Sequence, residues 1–236
     1  MISQQETLLL ERLEFQDLRP LSAFTQVTWL SLSVNDIEDI TPLQSLTNLE
    51  YLFLDSNNIA DLQPLATLTN LKTLWLYDND IADLSPITAL TKLDTLSIYD
   101  NRISDLSPLA QLDNLASLAA FNNQITDLSP LADLDQLWYL ALGNNRIRDL
   151  SPLADLRQLQ SLFVFGNEIV DVAPLQNLTE LRSLSLGNNP ITDIAPLTNL
   201  GELEELLLFN TQVADISPLQ GLNQRALARP VQHVCG

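Results

Sequence analysis

Asparagine returns every 22 residues in this chain, at Asn35, Asn57, Asn79, Asn101, Asn123, Asn145, Asn167 and Asn189, and Thr211 holds the next place in phase. Each sits in a frame L-x-x-L-x-L-x-x-N-x-I-x-D-x-x-P-L. With the Asn of a unit as position 0, the unit around Asn57 has apolar residues at Leu49 (−8), Leu52 (−5), Leu54 (−3), Ile59 (+2), Leu62 (+5), Leu65 (+8) and Leu68 (+11). Such a unit is a coil with one apolar side. It cannot bury that side alone, and stacked neighbours close a continuous core. The chain is therefore expected to be an array whose function lies on a surface rather than in a deep pocket.

The stretch from −6 to −2 alternates inward and outward, which predicts a short strand in every unit. Strands of successive units would pair in parallel, roughly 4.7–4.9 Å apart. Across the coil the sequence reads D-x-S-P-L-x-x-L, with Pro in phase from Pro20 to Pro218 and Ser before it at Ser85, Ser107, Ser129, Ser151 and Ser217. Ser as an N-cap followed by Pro predicts a short helix or 3₁₀ turn there. The expected fold is an α/β solenoid: a curved, right-handed coil with a parallel sheet on the concave face and turns or short 3₁₀ helices on the convex face. Residues 1–26 read as a degenerate N-terminal capping repeat, with Leu13 in place of the Asn. Residues 27–222 hold nine 22-residue repeats, and 223–236, NQRALARPVQHVCG, read as an irregular C-terminal cap or tail.

The balance of 30 acidic residues against 11 Lys and Arg gives a formal net charge of −19. That excludes a nucleic-acid backbone as partner, since phosphate binding needs clustered cations, and it disfavours an anionic membrane surface. It favours a neutral or basic partner and a self-repelling monomer. A single Cys leaves no internal disulfide. The N-terminal MISQQETLLLERLEF lacks a basic leader, and no apolar run reaches membrane-spanning length, so neither membrane insertion nor export is expected and the compartment reads as cytoplasmic.

The frame, exemplified by NDIEDITPLQSLTNLEYLFL, resembles leucine-rich repeats. The 22-residue length and in-phase D-x-x-P-L are similar to the bacterial internalin-like class and the eukaryotic phosphatase-regulator class. The resemblance spans residues 5 to about 222. It implies a binding role and no catalysis.

Two ladders read as scaffold. The Asn side chains, each with two donors and an acceptor, suit backbone groups where the chain leaves the strand. The in-phase acids Asp17 to Asp215 suit Asx turns ahead of the S-P corner. A calcium array is the competing reading, but calcium needs six to eight oxygens close together and each coil offers one acid. Specificity is expected at the outward positions −6, −4 and −2. They carry Trp29, Tyr51, Phe53, Trp75, Tyr77, Tyr99, Phe121, Tyr139, Phe163, Phe165 and Phe209, which are 11 of the 14 aromatics. Aromatics suit strands in any case, yet so many on a solvent-facing sheet point to an interaction surface.

Asp55, Asp78, Asp80 and Asp100 lie beside the N-terminal aromatics, and aromatic plus acid favours Arg or Lys on the partner. Leu207 joins Phe163, Phe165 and Phe209 in a second, drier patch, with Glu168 and Glu205 nearby. The candidate partner-binding set is thus the eleven aromatics with Asp55, Asp78, Asp100 and Leu207. The leading expectation is a non-enzymatic protein-binding scaffold. Carbohydrate or cell-wall binding through the same aromatics is the alternative. Trp138, Arg146 and Arg148 read as edge residues. His233 and Cys235 make a poor thiol–imidazole pair, with no orienting acid in sequence reach. No catalytic or metal-binding motif and no cofactor signature is present.

Overall fold

The computed structural model describes residues 6–14 and 16–222; His233, Cys235 and the segment 223–236 lie outside them. Ten parallel strands form one open sheet in strict sequence order. They are β1 (Thr7–Leu9), β2 (Trp29–Ser31), β3 (Tyr51–Phe53), β4 (Thr73–Trp75), β5 (Thr95–Ser97), β6 (Ser117–Ala119), β7 (Tyr139–Ala141), β8 (Ser161–Phe163), β9 (Ser183–Ser185) and β10 (Glu205–Leu207). The register never slips, pairing Leu30 with Leu52, Leu52 with Leu74, and so on by 22 residues. Each strand leads across the coil to a 3₁₀ turn such as Gln63–Thr67 or Ser129–Leu131. This is the stacked-coil solenoid that the periodicity predicts, with a parallel sheet on one side and 3₁₀ turns on the other.

The core follows the seven apolar offsets. Leu49, Leu52, Leu54, Ile59, Leu62, Leu65 and Leu68 are all sealed from solvent, and the pattern repeats from Val27 to Leu203. Burying one such side chain contributes about 1.5–3 kcal/mol, so the stack is held chiefly by its aliphatic column. The last rung is looser, with Leu206 and Leu208 only partly covered.

The Asn ladder carries the hydrogen bonds that join coils where the strand ends. Asn57 Nδ2 donates to the carbonyls of Leu32, Leu54 and Asp55 at 3.1, 3.0 and 3.1 Å. Its Oδ1 accepts the Ile37 N–H at 3.0 Å. One side chain therefore satisfies groups on its own coil and on the preceding one. Thr211, at the end of the ladder, donates only to the Leu208 carbonyl of its own coil.

Two local expectations are corrected. The strands are three residues long, because the residue at −1 turns left-handed at Val34, Ser56, Asp78, Asp100, Asn122, Asn144, Gly166, Asn188 and Asn210. Inter-coil bonds nevertheless continue past each strand, as from Ser56 N–H to the Tyr77 carbonyl at 2.9 Å. The residue at −2 therefore stays in the row of the sheet face.

Ser before Pro is not the N-cap. That place belongs to residues such as Leu84, which make no side-chain cap. The Asp two residues ahead of the Ser closes the corner instead: Asp83 Oδ1 accepts the Ser85 N–H at 2.8 Å, and the Ser85 hydroxyl donates to Oδ2. The same Asx turn recurs from Asp39 to Asp215. These bonds hold Asp83 and Asp127 below the ordinary carboxylate range. The side chain and N–H of Arg19 hold Asp17 down at about 2.

Candidate binding surface

Each coil sends three side chains outward across the sheet, two from the strand and one from position −2. The rungs repeat by 22 residues, so outward residues stack on those of the next coil. In the N-terminal half this produces an unbroken train of rings. Trp29 stacks on Tyr51 with centroids 4.6 Å apart and tilts against Phe53 at 5.2 Å. Phe53 meets Trp75 edge-on at 4.8 Å, and Trp75 reaches Tyr77 at 6.0 Å. Tyr77, Tyr99 and Phe121 then stack with nearly parallel planes, at 4.3 and 4.1 Å. Pairs of this kind contribute about 0.5–1.5 kcal/mol each, so the rings hold one another in place.

Exposure sorts the candidates. Trp29 and Trp75 stand out from the sheet at 37% and 38%, whereas Phe53 is 9% exposed and Asp55 only 3%. Phe53 therefore forms floor rather than contact surface. Asp55 is not the rim acid that the sequence suggests: it lies under the face and accepts the Ser33 hydroxyl at 2.7 Å. Asp78 and Asp100 are exposed, but at the left-handed corner, where short polar side chains tolerate φ > 0. Asp100 also accepts from Asn122 at 2.7 Å, and Asn122 in turn accepts from Asn144 at 2.7 Å. Asp80 pairs with Arg102 at the sheet edge.

The electrostatics of the N-terminal half are acidic. Burial, followed by the hydrogen bond and field of Asp55, pushes the Tyr77 phenol well above its ordinary range. Burial and the fields of Asp55, Asp100 and Asp78 push Tyr99 the same way. A groove of about 630 Å³ opens beside these rings, with Trp29, Phe53 and Trp75 along it and Glu11, Asp55 and Arg12 as its charged residues.

The C-terminal half is built differently. Tyr139 is half-buried, its pKa raised by that burial, and touches Phe163 at 5.7 Å and Trp138 at 5.8 Å. Phe165 lies over Gly143 and Phe209 over Gly187: a Cβ on either glycine would sit 2.5 Å from the ring. These glycines at −2 went unread in the sequence, although their alternation with Phe165 and Phe209 was there to see. Leu207 is half-covered, and Phe209 is exposed on the last rung. Glu168 is engaged by Arg148. The structure thus groups the candidates into a continuous train from Trp29 to Phe121 and a smaller cluster of Trp138, Tyr139 and Phe163, with Phe165 and Phe209 each seated over a glycine.

The sequence pattern described as Leucine Rich repeats (2 copies) matches residues 25–67, 69–111, 113–155 and 157–199. The chain belongs to the leucine-rich repeat family. Among solved structures it is similar to an internalin, InlF, of Listeria monocytogenes, with a TM-score of 0.79 and 33% identity over 92% of this chain and 72% of that one. It is also similar to internalin C2 of Listeria monocytogenes, with a TM-score of 0.77 and 40% identity over 79% of this chain and 83% of that one. The leucine-rich-repeat ectodomain of the plant membrane receptor kinase GASSHO1/SCHENGEN3 from Arabidopsis thaliana, in complex with CASPARIAN STRIP INTEGRITY FACTOR 2, matches with a TM-score of 0.76 and 25% identity, over 88% of this chain and 27% of that one. No curated protein matches the chain. Leucine-rich repeat proteins generally act as protein-interaction scaffolds and are typically non-enzymatic. Among the described residues no helix is long and apolar enough to cross a membrane.

Proposed function

We propose that this chain is a non-enzymatic scaffold that grips a neutral or basic protein partner on the aromatic sheet face, acting as a monomer. The observation that carries the reading is the ring train from Trp29 to Phe121, fixed by contacts of 4.1–5.2 Å between successive coils and by the 6.0 Å contact of Trp75 with Tyr77 within one coil. Rigid anchors lose little conformational entropy on binding, and aromatic side chains are the usual hot spots of protein interfaces. The excess of acid over base supports a partner of opposite sign.

Carbohydrate binding through the same rings fits less well. A sugar needs an open ring face, and Tyr77, Tyr99 and Phe121 turn their faces to one another with interplanar angles of 9° and 12°. The test is a pull-down with the intact chain and with the triple change Trp75, Tyr77 and Tyr99 to Ala, each checked by circular dichroism. Loss of hot-spot anchors should weaken capture at least about 30-fold, the equivalent of 2 kcal/mol. Full capture by a folded triple variant overturns the assignment of the face. A glycan array that responds to the intact chain, with no protein retained, favours the sugar.

A further inference from the structure

The groove beside β2, β3 and β4 combines features not shared by the rest of the face. Two exposed indoles bound it, and both ring centroids lie close to that of Phe53, at 5.2 Å for Trp29 and 4.8 Å for Trp75. A group resting over Phe53 therefore meets both indoles at once. Its acids are fixed from behind: Glu11 Oε1 accepts the Ser31 hydroxyl at 2.6 Å, and Asp55 Oδ1 accepts that of Ser33 at 2.7 Å. Asp55 is also hydrogen-bonded by the Tyr77 phenol; an ionised carboxylate has about four acceptor sites, so both acids keep capacity for another donor. Asp55 lies in a poorly hydrated position, where its field is weakly screened.

We propose that this groove receives one arginine side chain of the protein partner, its guanidinium laid against Trp29 and Trp75 and its charge met by Glu11 and Asp55. This deepens the reading of the sheet face as a partner-binding surface and rests on it. The chemistry favours arginine over an apolar anchor because indole faces attract cations within about 6 Å, and the floor is acidic rather than dry. It favours arginine over lysine because a planar guanidinium stacks on aromatic rings while its edge still donates to carboxylates. Arg12 also lines the groove. As a like charge it opposes an incoming cation, which gives the proposal a direction that a merely structural role lacks.

The experiment titrates the whole chain, with Trp138 changed to Phe so that only the two groove indoles report, using N-acetyl-arginine amide and N-acetyl-citrulline amide at matched ionic strength. Arginine amide should shift the tryptophan emission saturably with Kd on the order of millimolar, and the uncharged citrulline isostere should not. Asp55→Asn and Glu11→Gln should each weaken the response several-fold, and Arg12→Gln should strengthen it. If Asp55→Asn fails to fold, the Glu11 and Arg12 variants decide. Equal responses to both amides, no saturation with either, or weakening by Arg12→Gln overturns the proposal, as does a saturable response to a neutral oligosaccharide instead. The titration uses no protein partner. A failed titration with the triple-alanine effect on capture intact therefore rejects the arginine site alone, and the converse rejects the face.

Discussion

The two halves of the sheet face stand on the same scaffold and yet present different surfaces. Coils around Asn57 and Asn145 make the same set of Asn bonds: Asn145 donates to Ala120, Leu142 and Gly143 carbonyls and accepts the Ile125 N–H, as Asn57 does one for one. Above that common frame, the N-terminal half sets Asp55, Tyr77, Tyr99 and Phe121 at successive −2 positions, and the C-terminal half sets Gly143, Phe165, Gly187 and Phe209. In the first, neighbours of similar size stack ring on ring over an acidic floor. In the second, Phe165 and Phe209 each drop into the space a glycine leaves, and the row of rings is broken. The lesson is that in a solenoid the backbone delivers positions, and only the outward triplet of each coil decides what they offer.

That separation can be broken most directly by striking the shared frame in both halves. Asn57→Ala and Asn145→Ala each strand buried backbone groups and should each cost about 1–3 kcal/mol in denaturant melts. Unequal costs beyond about 1 kcal/mol would mean that the scaffold is not uniform. The glycine device of the C-terminal half is the next test. Gly143→Ala places a methyl 2.5 Å from the Phe165 ring, so the ring must swing outward at a cost of roughly 1 kcal/mol. An unshifted Phe165 ring resonance in NMR would contradict that packing.

The corner at −1 offers an effect of opposite sign. Val34 is β-branched and sits at φ 57°, where the matching residue later in the stack is Asn144 or Asn188. Val34→Asn should stabilise the N-terminal half by about 0.5–1 kcal/mol, read as a higher denaturation midpoint. The smallest effect belongs to the convex turns common to both halves. The Ser129 N–H and hydroxyl lower the Asp127 carboxyl. Its contribution is present above the unfolded value of about 3.9 and is lost as pH falls through the lower folded value. Asp127→Asn should therefore lower melting slightly at neutral pH, where the contribution is present, and flatten its fall below about pH 4; an unaltered acid slope would remove the turn from the account.

Much of this architecture is legible in the sequence. Leu52, Leu54 and Ile59 announce the core because apolar offsets repeat in register, and Asn57 announces the ladder because a buried amide at a fixed corner must satisfy backbone groups. The aromatic positions Trp29, Trp75 and Tyr99 follow from strand alternation. Less legible was the fate of Asp55, which the linear pattern sets beside the aromatics as a rim acid. Its burial arises from Ser33 on one neighbouring coil and Tyr77 on the other, contacts 22 residues away in either direction. The Ser-Pro corner misled for a related reason: the Asp two residues earlier reaches the same N–H and wins it.

The sequence alone determined the coil, its 22-residue period, the aliphatic column and the face on which the aromatics gather. These follow from local periodicity, which the chain carries in full. The tertiary structure decided which outward residues are exposed and which form the floor, how the rings orient, and where a groove opens. Those depend on the size of the side chain one coil away, because parallel in-register stacking makes every outward position a neighbour of the same position in the next coil.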